Sequence, residues 1–319
     1  MKMLDFLPSS AARHPARPLS WSRTVPRELV HRAAVAEVLL TDVRARGGDR
    51  FEAAAQWPRS HPTFPRGRGE RHDPLIAVET ARQLGIYLPL RHYGVPADTH
   101  LLITDVSCRV DPAAEPRGDG PAAVLCRAQV HGLRTSAENH RPTGMRLRVD
   151  CSARGVVFAR IEGGTRFVER PAYPALRGTA LAGDPADSGP PPDPPSPAEV
   201  GVALPSDVLV TRAGSGSRAS DGSRADDALL ICPADPAHPF FFDHSSDHMP
   251  GMVLLEAARQ AAALRSAGRL SHPVDYRMKA VRFTEFAPLP EVDITEYEHL
   301  CVFHIRQNGH ITAVGSLGY

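Results

Sequence analysis

Apolar and polar positions along this chain run through the same succession of rhythms twice. Residues 35–43 (VAEVLLTDV) are mostly apolar and rich in β-branched types, which predicts a strand. Gly47-Gly48-Asp49 supplies a turn, and residues 51–57 read as a second strand. Residues 61–73 are polar and glycine-rich, a loop. From Pro74 the apolar positions Leu75, Ile76, Val78, Leu84, Ile86, Leu88 and Leu90 extend too far for an ordinary strand. They predict a helix, which Tyr93-Gly94-Val95-Pro96 ends. Strand composition follows at 101–110, 122–133, 145–151 and 155–161, with Gly163-Gly164 read as a turn before Phe167.

The second half repeats the order: a strand pair at 207–210 and 228–231, a loop at 239–249 and a helix over 251–267. Strands are expected near 278–286, 292–298, 301–307 and 311–315. The repetition is also literal. His61-Pro62-Thr63-Phe64 leads to Glu79-Thr80-Ala81-Arg82-Gln83, and His238-Pro239-Phe240-Phe241 leads to Glu256-Ala257-Ala258-Arg259-Gln260, each matched pair separated by the same 177 residues. A helix after a hairpin, then a run of strands, argues for an α+β domain whose sheet wraps the helix, present in duplicate. The expected organisation is an irregular arm (1–25), a first domain (26–175), a Pro/Ala/Gly-rich linker that does not pack (176–202) and a second domain (203–319). Residues 213–227 read as a long hairpin connection.

Composition narrows the function. At 319 residues the chain is long enough for two domains with their own cores, and 42% hydrophobic with 23% charged residues is ordinary for a globular protein. A net charge of +1 argues against nucleic acid as a partner. No apolar run reaches bilayer length and none near Met1 resembles a leader, so a cytoplasmic location is expected. Five scattered cysteines without CxxC spacing suggest reduced thiols, and no histidine spacing suggests a metal.

The chemistry points to the two helices. Glu256, Arg259 and Gln260 lie at i, i+3 and i+4, so their heads share one side, as do those of Glu79, Arg82 and Gln83. A carboxylate among apolar neighbours is expected to have a raised pKa, as a general base would. Pro250-Gly251-Met252 places helix N–H groups where they can polarise a carbonyl. The first copy has Asp73-Pro74 instead, so the second copy is expected to handle the carbonyl. Glu256→Ala or Arg259→Ala is expected to stop turnover with the fold intact. Two readings of the residues remain open: catalysis, or an internal Glu–Arg pair that fixes packing. His61 and His238 read as structural, Trp57 as core, and Arg32 beside His31 as a phosphate contact or an exposed residue.

The run DHSSDHMPGMVLLEAARQ resembles the hotdog-fold β-hydroxyacyl-carrier-protein dehydratases, whose helix follows a histidine loop and Pro-Gly. His244 or His248 would lie near that family's histidine, though the loop length departs from its pattern. A resemblance over almost the whole chain is carried by VHRAAVAEVLLTD, DRFEAAAQWPRSHPTF, DPLIAVETARQLGIYL, HYGVP and HPFFFDHSSDHMPGMVLLEAARQAA. These are similar to the A-factor biosynthesis (AfsA-like) hotdog proteins of Streptomyces and relatives. The resemblance implies a tandem hotdog acyltransferase without a cofactor. Its substrate would be a β-ketoacyl thioester, on acyl carrier protein or coenzyme A, and its acceptor dihydroxyacetone phosphate. The product would be a phosphorylated precursor of a γ-butyrolactone, butenolide or furan signal controlling antibiotic production. It implies catalytic roles for Glu256, Arg259, Glu79 and Arg82. Substrate contacts would come from Gly251, Met252, Gln260, Gln83, His244, His248 and Arg32. A homodimer is compatible with it. The rivals are a hotdog thioester hydrolase or dehydratase, and a non-catalytic acyl-signal binder.

Overall fold

The computed structural model describes residues 17–319 except 60, 62, 64, 67–70, 117–119, 179–192 and 214–227. The beginning of the expected arm, the centre of the linker and nearly all of the second-half hairpin connection lie outside the described residues. The first half contains strands β1 (Leu40–Gly47) and β2 (Arg50–Trp57), then the short pair β3 (Pro65–Arg66) and β4 (Arg71–His72). Helix α1 (Leu75–His92) follows, then β5 (His100–Val110), β6 (Ala122–Thr135), β7 (Pro142–Ala153) and β8 (Val156–Val168). Two short helices, α2 (Tyr173–Arg177) and α3 (Pro197–Val200), flank the linker. The second half contains β9 (Val210–Arg212), β10 (Leu229–Ile231), α4 (Gly251–Arg265), β11 (Asp275–Ala280), β12 (Glu291–Glu296), β13 (Leu300–Gln307) and β14 (His310–Gly318).

Twelve of these strands form one antiparallel sheet in the order β1-β2-β6-β7-β8-β5-β11-β14-β13-β12-β10-β9. Read from the two ends, the order is the same: β1 matches β9, β2 matches β10, and so on to the centre. There β5 pairs with β11, Val106 opposite Met278. The two post-helix strands that correspond by sequence are therefore the seam that joins the halves, and the architecture is a tandem hotdog. Both long helices are apolar on nearly every side because each is enclosed by its half of the sheet and by the other half. Leu75, Ile76, Leu84 and Leu88 of α1 and Val253, Leu255, Ala258 and Ala262 of α4 are at or near zero exposure. Trp57 is core, donating its indole N–H to Thr80 Oγ1 at 2.9 Å. The five cysteines are buried and unbridged.

Three sequence expectations change. The first strand begins at Leu40, and Val35–Glu37 is a 3-10 turn. Gly163-Gly164 is no turn: β8 passes straight through it. A Cβ on Gly163 would sit 2.8 Å from the carbonyl oxygen of Asp105, so glycine is required by close approach of β5, where the register slips between Ile103 and Asp105. The end of the linker does pack. Val30-His31-Arg32-Ala33 and Val38-Leu39 align with Val200-Gly201-Val202-Ala203 and Val208-Leu209 at a second offset of 170 residues. Both stretches consist of a helical turn, a left-handed residue (His31, φ 49°; Gly201, φ 65°) and a 3-10 turn before the first strand. The second repeat thus begins by Pro197, and Val200 is fully buried like Val30. Proline-rich composition concealed this because Pro197 opens a helix, the position where its missing N–H costs nothing.

Candidate active site

The two Glu-Arg-Gln triplets share a plan and differ in one feature. In each, glutamine ties the helix to the segment before the first strand. Gln83 accepts from Leu39 N–H and donates to Glu37 O and Glu79, while Gln260 accepts from Leu209 N–H and donates to Asp207 O and Glu256. The histidines of the HPxF motifs complete the tie: His61 Nε2 lies 3.0 Å from Glu37 and His238 Nε2 lies 2.9 Å from Asp207. Both glutamines are thereby saturated by the protein's own groups, which corrects their expected role as substrate contacts. His61 and His238 are structural.

The difference concerns arginine. Glu79 is fully buried and is held by two guanidinium groups, Arg82 from its own helix (2.7 Å) and Arg32 from the turn before β1 (2.8 Å). Arg32 also donates to Phe240 O at 2.7 Å and stacks on the Phe240 ring, so it bridges the halves. Its expected role as a substrate contact is corrected to that of a buried strut. In the second half the aligned residue is Val202, and among the described residues Glu256 has Arg259 alone for a cationic partner (2.5 and 2.8 Å). Arg259 is 2% exposed and donates its remaining N–H groups to Val200 O and Ser271 O. It is enclosed, whereas Arg82, with Arg32 sharing the load on Glu79, keeps part of its head open.

Where the open head points is decided by the cavities. A cleft with about 870 Å³ of empty space, its open mouth included, runs between α1 and the seam of the sheet. Its apolar walls include Ile86, Ile103, Leu147, Ile161, Leu255 and Met278, and Gly85 of α1 leaves room beside Leu147. Its polar groups are Arg82, His31, His244, Asp105, Thr165 and the Gly251-Met252 start of α4. The corresponding space in the other half is about 340 Å³, lined by Asp73 and Leu75 at the start of α1 and by Glu256 and Arg259. That helix start is already occupied, since Leu75 N–H donates to the Asp73 carboxylate at 2.9 Å. Pro250 provides no such side chain to α4. First-turn N–H groups have no acceptor within a helix, so those of Gly251 and Met252 remain available to a ligand in the cleft. Thus one open site combines the arginine of the first copy with the helix N-terminus of the second.

His31 and His244 are brought together by contacts between the halves. Asp243 accepts from Ala33 N–H (2.7 Å) and Ala34 N–H (3.1 Å), which anchors the second-half loop beside the His31 turn. Burial, reinforced by Arg82, pushes His31 down to about 4; burial also pushes His244 to about 4, with Arg82 and Arg32 acting against its protonation and Asp243 partly for it. His248 is elsewhere. Its Nδ1 is 2.7 Å from Asp247, which also binds Tyr173 OH and Arg177, while Arg177 reaches Glu285. His248 fixes the loop at the foot of α4, a correction to its expected substrate contact.

For Glu79 the expected raised pKa is overturned. Burial opposes ionisation of Glu79, but Arg32, Arg82 and Gln83 outweigh it and hold the carboxyl down to about 2. A carboxylate with this many donors is a poor base. Glu256 accepts hydrogen bonds from Arg259 and Gln260.

The A-factor biosynthesis hotdog domain (AfsA) matches residues 14–169 and 185–289. The chain belongs to this family. Among its relatives is the 2-oxo-3-(phosphooxy)propyl 3-oxoalkanoate synthase of Streptomyces virginiae, 37% identical over 297 residues, covering 90% of this chain and 93% of the relative. The protein of the same name from Streptomyces coelicolor is 32% identical over 266 residues, covering 82% and 79%. Among solved structures the chain is similar to the 12:0-ACP thioesterase from Umbellularia californica, at 10% identity and TM-score 0.44, covering 86% of this chain and 98% of that one. No helix among the described residues of this AfsA-family chain is long and apolar enough to cross a membrane.

The two histidines give the AfsA-family site an acid sensitivity. With folded values near 4 against an ordinary 6.5, the native state takes up protons less readily than the unfolded chain. Stability is therefore expected to fall as pH drops from about 6.5 towards about 4. Glu79, held near 2, contributes stability that is complete above its ordinary 4.5 and is lost only below it. Urea midpoints measured across pH 4–7 should decline, and His244→Asn should flatten that decline.

Proposed function

We propose that this chain transfers a β-ketoacyl group from a thioester to the primary hydroxyl of dihydroxyacetone phosphate. The product is then a 2-oxo-3-(phosphooxy)propyl 3-oxoalkanoate, the ester in the name of its relatives. The observation that carries this reading is the pairing, in one apolar cleft, of an uncapped helix N-terminus with a partly free arginine. The acyl chain lies against Ile86, Ile103, Leu147 and Met278, and its thioester carbonyl faces the N–H groups of Gly251 and Met252. Arg82 holds the phosphate, a role suited to a guanidinium with donors to spare. His244 takes the hydroxyl proton as the alkoxide oxygen bonds to the carbonyl carbon. The helix N-terminus stabilises the resulting oxyanion. Collapse breaks the C–S bond, and the departing thiolate recovers the proton from His244. All of this uses the chain's own residues. The thioester is carried on acyl carrier protein or coenzyme A in the cytoplasm, and the ester is a precursor of a diffusible lactone, butenolide or furan signal.

The test is to incubate purified protein with 3-oxooctanoyl-coenzyme A, or with the same acyl group on acyl carrier protein, with and without dihydroxyacetone phosphate. Free thiol should appear only when the triose phosphate is present, in step with ester detected by mass spectrometry. Thiol release independent of the triose phosphate would make the protein a hydrolase and overturn the reading.

A further inference from the structure

We infer that His31 is a catalytic residue of this cleft, and that its imidazole N–H donates a hydrogen bond to the ketone oxygen of the triose-phosphate acceptor. The inference rests on the acyl-transfer reading and adds to it a residue from the N-terminal turn that the helix motifs do not contain.

Four observations converge on His31. It lines the open cleft together with Arg82, His244 and Gly251. No hydrogen-bond partner for its side chain exists among the described residues, although the residue is half-buried. Its backbone occupies the left-handed region at φ 49° and ψ 58°, where a side chain with a Cβ is disfavoured. The aligned position of the second repeat adopts the same conformation and is Gly201, the residue that fits it without strain. Gly201 lines the smaller cavity, whereas His31 lines the larger one. The fold therefore accepts glycine at this turn, and the half that retains an open cleft carries histidine despite its backbone cost.

The role follows from the surroundings. Both charged groups that bear on the cleft from α1 and the turn, Arg82 and Arg32, are cationic, and Glu79 is neutralised by them. His244 is also held down to about 4, by burial, Arg82 and Arg32, but the Asp243 carboxylate acts in favour of its protonation. His31 is opposed by burial and by Arg82, with nothing acting in favour of its protonation. A ring held neutral has one N–H to donate, as befits polarising a carbonyl. The triose phosphate presents three groups in a row, phosphate, ketone and hydroxyl, and Arg82 and His244 account for the outer two. The ketone between them is left for His31. Its hydrogen bond makes the adjacent hydroxyl more acidic and fixes the acceptor's conformation while the C–O bond forms.

The ketone can be removed from the substrate. The experiment compares kcat/KM with dihydroxyacetone phosphate and with 3-hydroxypropyl phosphate, which keeps the phosphate and hydroxyl but lacks the central oxygen. His31→Gly reproduces the second repeat, so folding is retained and is checked by the urea midpoint. It should lose roughly 10- to 100-fold with the triose phosphate and less than about threefold with the analogue. His31→Asn tolerates the left-handed turn, keeps an N–H donor, and should recover part of the loss with the triose phosphate only. Equal losses with both acceptors, or no loss with either, would overturn the ketone contact. If the unaltered protein makes no ester from dihydroxyacetone phosphate, the acyl-transfer reading falls and this inference falls with it.

Discussion

Arg82→Met is expected to reduce kcat/KM for ester formation by about 10²- to 10³-fold while leaving the protein folded. Arg82 contacts Glu79 from one side, but Glu79 retains Arg32 at 2.8 Å and Gln83 at 2.8 Å when it is gone. The buried carboxylate is therefore never left without a cation, and the large penalty for an orphaned charge does not arise. What disappears is the cationic head that faces the cleft, and with it the charge-assisted grip on the phosphate. Most of the loss should be in KM for the triose phosphate, because the phosphate is bound alike in the ground and transition states. Arg82→Lys restores charge without the planar fork and should recover only part of it. Steady-state kinetics with the acceptor varied, alongside urea denaturation, checks both halves of the expectation. Full activity in Arg82→Met would remove the phosphate from this end of the cleft.

The sequence made the helices legible because their apolar runs and the Glu-Arg-Gln triplets are local patterns, repeated at a fixed offset. The start of α4 was legible too: Pro250-Gly251 lies on the cleft, as its position before an apolar helix suggested. Most of what was misread depends on contacts between distant segments. Gly163-Gly164 looks like a turn until β5 is laid beside it at a bulge. Glu79 looks like a base until Arg32, 47 residues earlier, closes on it. The second triplet draws attention because Pro250-Gly251 precedes it, yet the space beside Glu256 and Arg259 is the smaller of the two. A signal for the difference was present: the Val-His-Arg-Ala to Val-Gly-Val-Ala match at the 170-residue offset records the exchange of Arg32 for Val202. It is weaker than the helix motifs because a second offset is needed to see it.

Arg259→Met should have the opposite outcome, a loss of about 3–5 kcal/mol of stability with no direct effect on chemistry. Four acceptor atoms depend on this one side chain: both oxygens of Glu256, the carbonyl of Val200 and the carbonyl of Ser271. All are buried, and only Gln260 would remain to Glu256, at 2.9 Å. A lone carboxylate that loses its cation in the interior costs several kcal/mol, and unsatisfied carbonyls add to it. Against a typical stability of about 5–15 kcal/mol, much of the protein's margin would go. Glu256→Gln combined with Arg259→Met removes the orphaned charge but not the two stranded carbonyls, so it should recover part of the loss. The fraction of Arg259→Met that stays folded should turn over at the rate of the unaltered protein, because its cavity is the closed one. A variant that melts normally yet makes no ester would return the chemistry to the second helix. Urea midpoints and kcat per folded molecule, measured on the same preparations, distinguish the two results.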